Sequence, residues 1–104
     1  GPYDSLLLKA SDTVGQNLAV TIVLPMLVSD SGVAETAEET IRSLFVVSRN
    51  RSLSELYLSD LIVALKAAIP TAKSIRITEP AADVVLSTDK VIVLGDCTVT
   101  IERA

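Results

Sequence analysis

The chain has 104 residues and a formal net charge of −4, and 49% of it is apolar although it holds only two tyrosines and one phenylalanine. That length fits one small domain, with a core that must be built from Leu, Ile, Val and Ala. Its nine basic residues are scattered, which argues against nucleic acid as a partner, and the single cysteine, Cys97, excludes an internal disulfide.

The mean hydropathy of +0.49 is high. Yet the longest apolar stretch, Leu18 to Val28, falls short of the roughly 20 residues a membrane span needs, and Thr21 and Pro25 interrupt it. Excess aliphatic surface without a span points to contact with other protein.

In chain order, Gly1-Pro2 has the form of a scar left by removal of an affinity tag, so the rest is expected to be excised from a longer protein. Residues 3–17 form a lead-in, open between a short helix and an edge strand, in which Ser11, Asp12, Gly15 and Asn17 mark a turn. A single domain is expected over residues 18–104. Leu18 to Val28 reads as a central strand, with Leu18, Val20, Ile22 and Leu24 on one face and Ala19, Thr21 and Val23 on the other. Pro25 marks its end, a bulge or an unpaired side.

After the turn Ser29-Asp30-Ser31-Gly32, a helix is expected from Val33 to Ser48. Its inward stripe is Val33, Ala37, Ile41, Leu44, Phe45 and Ser48, and Glu35, Glu38 and Glu39 sit where the helix dipole favours negative charge. Arg49 lies just past its end, and Arg49 to Ser54 reads as a polar loop. A second helix is expected from Ser59, as its N-cap, to the residue before Pro70, with Leu61, Ile62, Leu65, Ala68 and Ile69 inward. Lys73 to Thr78 alternates as a half-buried strand and Val84 to Leu86 as a short one. A hairpin-like turn at Ser87 to Lys90 precedes Val91 to Leu94 and Cys97 to Ile101, two segments broken at Gly95-Asp96, where the glycine suggests a bulge or bend. The fold class is therefore α+β, a two-layer sandwich with two helices on one face of a three- or four-stranded sheet.

Nothing in the pattern assembles a catalytic or cofactor site. Cys97 is the one strong nucleophile, but the chain has no histidine to activate it, and alternation puts it on an apolar face. Glu35, Glu38 and Glu39 read better as a solvated helix face than as a metal or acid–base cluster. Asp83, Asp89 and Asp96 are spread over three turns without the dense spacing of a calcium loop. Gly15, Gly32 and Gly95 stand alone and form no phosphate loop. No cofactor, no metal and no enzyme activity is expected.

Four positions instead carry structural roles. Ser59 caps a helix, Pro80 stops a strand, Asp83 bonds back to turn amides, and Gly95 permits a backbone conformation closed to other residues.

These motifs, taken in order, resemble the C-terminal region of baseplate J-like proteins, the wedge subunits of contractile phage tails and related injection particles. The matching residues are Tyr57-Leu58-Ser59 followed by Leu61-Ile62, then Pro80-Ala81-Ala82-Asp83, then Val93-Leu94-Gly95 followed by Thr98-Val99-Thr100. Pro70-Thr71-Ala72-Lys73 stands where the family often has Gly-Val, and Ser52 to Glu55 where a glycine is usual. The resemblance implies a structural protein of the tail baseplate, assembled in the bacterial host cytoplasm. It would sit in a ring with other baseplate and tail proteins, and the isolated domain could be monomeric. The alternative from the fold alone is a small regulatory module that dimerises or holds a ligand.

Overall fold

The computed structural model describes residues 12–45 and 54–104. The expectations for residues 1–11, for Ser48 as the last member of the first helix's stripe and for Arg49 to Leu53 lie outside the described residues. The elements run β1 (Asp12–Leu24), α1 (Val33–Leu44), β2 (Glu55–Leu56), α2 (Leu58–Ala68), β3 (Ser74–Glu79), β4 (Val84–Val85) and β5 (Lys90–Arg103). The architecture is α+β: two helices pack against a mixed three-stranded sheet of order β3-β1-β5, and β2 and β4 form a small antiparallel sheet.

β1 is the central strand, as its two apolar faces require. It runs antiparallel to β3 and parallel to β5. Leu18, Val20, Ile22 and Leu24 face the helices and are almost fully buried. On the opposite face Thr21 and Val23 are buried too. Their lateral neighbours Arg76 and Glu102 form an ion pair of 3.1 Å that reaches across the central strand.

The strand differs from expectation at both ends. It begins at Asp12, because β5 pairs with it from that residue onward and supplies the ladder that the local turn signals could not reveal. It ends at Leu24, because Pro25 cannot donate to a ladder and the chain turns through Met26 and Leu27.

α1 buries Val33, Ala37 and Ile41, the inward stripe read from its spacing. It is shorter than expected, with Phe45 as its C-cap. Its N-cap is Gly32 at φ 76°, a left-handed conformation that glycine adopts without a Cβ penalty, and no side chain bonds there. α2 buries Leu61 and Leu65 and delivers Ile69 to the core, but Ala68, expected inward, is exposed. α1 lies over β5 and α2 over β3, and the helices also touch each other.

β5 is one strand rather than two. Gln16 pairs with Leu94 and Leu18 with Cys97, so two steps on β1 face three on β5. The extra residue at Gly95-Asp96 is a β-bulge. It has a plain cause: Ile92 and Leu94 share one parity and Cys97, Val99 and Ile101 the other, yet all five pack on the core. Without the bulge, half of the strand would turn its apolar side to water. The Ser87 to Lys90 turn exists, with Lys90 N–H donating to the Ser87 carbonyl at 3.0 Å. It makes no hairpin, since β4 pairs with β2 and β5 with β1.

Candidate functional site

The N-terminus of α2 is where several of the singled-out residues meet. Ser59 is not the cap: the cap position is Tyr57, and no side chain of the cap residue bonds there. Ser59 stands exposed inside the first turn. The unpaired N–H of Leu58 is taken instead by Asp83, whose Oδ1 accepts it at 2.8 Å from 25 residues downstream. Asp83 therefore bonds to a helix and not to its own turn, and its negative charge lies where the α2 dipole favours it. Sequence spacing holds no signal for such a contact. Pro80 follows a cis peptide bond with Glu79 and sits directly after the end of β3.

Replacing Asp83 by alanine is expected to destabilise the protein by about 1 kcal/mol, whereas Ser59→Ala stays within about 0.5 kcal/mol. Urea unfolding of both variants checks this ordering.

Leu94 and Gly95 lie at the β5 bulge. Leu94 is partly buried against the core. Gly95 has no left-handed backbone, contrary to expectation; Gly32 is the residue with positive φ among the described residues. Its requirement is space. A Cβ at Gly95 would lie 2.3 Å from Asn17 Oδ1, and that oxygen accepts the Asp96 N–H at 2.9 Å. Asn17 was read only as a turn residue. Its partner is 79 positions away, so nothing local could reveal it.

Cys97 is half-buried rather than fully buried. Burial pushes its thiol up, the nearby Glu38 carboxylate adds to the rise, and Arg42 opposes it. Such a sulfur stays protonated where a free thiol would ionise, so it is a poor nucleophile. Iodoacetamide should label Cys97 slowly in the native protein at pH 8 and rapidly in denaturant, as followed by intact mass. A raised folded-state pKa also means that its stabilising contribution is present below the free-thiol range and is lost as pH rises through the folded value.

Glu35, Glu38, Glu39 and Arg42 line a depression of about 330 Å³ on the flank of α1, within which Arg42 pairs with Glu38 at 2.7 Å. A second depression, of about 180 Å³, lies between the start of α1 and the end of α2, lined by Ser31, Gly32, Val33, Thr36 and residues 68–71. Ligand sites are mostly apolar clefts of about 300–1,000 Å³. The first depression is lined by charged side chains of one helix, and the second is too small. Asp83, Asp89 and Asp96 occupy three separate places: the α2 cap, the turn before β5 and the bulge. Among the described residues no group of three His, Cys, Asp or Glu side chains is placed to hold a metal ion.

Among the described residues the turn after β1 carries the most exposed large apolar side chain, Leu27. The Arg103 guanidinium donates to the carbonyls of Pro25 (3.1 Å) and Val28 and pairs with Asp30 at 3.4 Å. Thus braced, the turn presents Met26 at 68% and Leu27 at 99% exposure. Val63 on α2 and Val85 on β4 are further exposed apolar side chains. Among the described residues no helix is long and apolar enough to cross a membrane. Compared with protein-family models and with curated proteins, the chain matches none.

Proposed function

We propose that this domain is a structural part of a contractile-tail or injection-particle baseplate, a module of a wedge subunit that works by contact with neighbouring proteins. The reading rests on the ordered run of motifs from Tyr57 to Ile101, which resembles the C-terminal region of baseplate J-like proteins. Two features support it. The motif residues have mechanical roles, as with Asp83 on the α2 terminus and Gly95 at the bulge. Apolar side chains also project from the turn at Met26-Leu27, from α2 and from β4, as a protein that makes several contacts requires. No catalytic step is assigned to any residue.

The test is mass spectrometry of purified tail particles from the source organism, together with sequencing of the flanking genes. Detection of the chain in the particle, beside sheath and tube genes, is the expected result. A chain absent from particles and remote from tail genes overturns the reading.

A further inference from the structure

β5 is a long strand with one side in use. Among the described residues it pairs with β1 along its length and with no strand on its other side. Alternate backbone N–H and C=O groups of a strand point to each side, so the outer edge offers a row of them. The apolar layer also stops short here. Leu18, Val20 and Ile22 on β1 are almost completely covered, whereas their β5 neighbours Cys97, Val99 and Ile101 are only partly buried. A sheet edge of this kind carries protection when it holds a proline or an inward-pointing charge. Residues 97–103 contain no proline; their charges are Glu102, paired with Arg76, and Arg103, held by the turn after β1, and the bulge lies before them.

We propose that the outer edge of β5, over residues 97–103, accepts an extended segment of another protein as a fourth strand, and that this segment carries basic side chains. Main-chain hydrogen bonds supply the adhesion, and alternate apolar side chains of the incoming strand extend the layer over Cys97 and Val99. The charge preference comes from the surroundings. α1 packs over β5, which sets its Glu38 and Arg42 near enough to the Cys97 thiol to act on it electrostatically. There, among the described residues, Glu35, Glu38 and Glu39 share a depression with Arg42, which Glu38 already holds. Lysine or arginine on the incoming strand complements that flank.

A second copy of this chain fits less well. Two-fold antiparallel pairing of β5 over its full length sets Lys90 opposite Arg103. A register centred on Val99 sets Asp96 opposite Glu102, whereas one centred on Thr100 opposes no like charges and is disfavoured only by the net charge of the two copies. Like charges directly opposite each other are destabilising, and each copy carries a net charge of −4.

The probe is a short labelled peptide alternating Val or Thr with Lys, titrated into the whole chain by fluorescence anisotropy and paired with amide hydrogen exchange. Saturable binding is expected, weakened about tenfold or more when Glu replaces Lys or when alternate peptide amides are N-methylated. Every second amide over residues 97–103 should exchange fast in the free chain and slow in the complex. The proposal is overturned by no binding up to about 1 mM peptide. It is overturned equally by slow exchange of both amide sets in the free monomer, which means the chain's own residues cover the edge. A concentration-dependent dimer that protects the same amides overturns it in favour of self-pairing. The inference names a surface suited to the assembly role proposed above but stands on strand geometry, so a chain absent from tail particles leaves this result untouched.

Discussion

Ile22→Ala is expected to lower the unfolding free energy by about 2–5 kcal/mol, the usual cost of emptying a packed aliphatic site. Ile22 is fully buried near the C-terminal end of the central strand, with Ile75 of β3 and Ile101 of β5 as its register partners. Truncation there opens a void that neither neighbouring strand can close without breaking its ladder, so little relaxation is available. A domain of this size is stable by about 5–15 kcal/mol, so the loss is a large share of the total. The control is Leu27→Ala, since Leu27 is 99% exposed and its removal should stay within about 0.5 kcal/mol. Urea unfolding reads both: the Ile22→Ala midpoint falls while its slope is unchanged. Equal shifts for the two variants would remove β1 from the centre of the fold.

The second large effect lies at the bulge. Gly95→Ala should cost about 1 kcal/mol, the worth of one hydrogen bond, because the new methyl displaces Asn17 Oδ1 from the Asp96 amide it accepts. The mechanism makes a sharper statement than the magnitude. With Asn17 already changed to alanine the obstruction is gone, and Gly95→Ala should then be tolerated much better. Asn17→Ala alone loses one hydrogen bond, worth about 1 kcal/mol, and water can reach the freed amide because Asp96 is exposed. A thermal-unfolding double-mutant cycle measures the coupling. Equal costs of Gly95→Ala in both backgrounds would rule out Asn17 as the reason for the glycine.

What could be read from the residues divides by the range of the interaction responsible. The stripe Val33, Ala37, Ile41 and the run Leu18, Val20, Ile22, Leu24 are set by helix and strand periodicity, and the structure buries both. The α+β class followed from those periods and the order of elements. Positions decided by distant partners were read differently. Asp12 to Asn17 carries turn residues, yet it is strand because β5 runs beside it. Ser59 has the residue type of a cap and stands at a helix start, but Asp83 takes the role, reaching in from after β3. Gly95 was rightly marked as special, for a reason that only the Asn17 side chain explains. The bulge is legible too: the glycine of Gly95-Asp96 suggests a bulge or bend, and the change of parity between Leu94 and Cys97 selects the bulge.

The pairing of β1 with β5 also orders events in time. β1 is the first described strand and the centre of the sheet, but Asp12 waits for Lys90 and Leu24 for Arg103. During synthesis the chain would emerge with its most apolar strand long before the partner that flanks it exists. Neither helix can shelter that strand on the side where β5 belongs. Folding of this kind, dominated by contacts between distant parts of the chain, is slow relative to helical bundles of the same size. An unpaired apolar strand in the meantime is a substrate for chaperones and a nucleus for aggregation. The central position of β1 thus gives the finished domain its core and gives the nascent chain its most vulnerable interval.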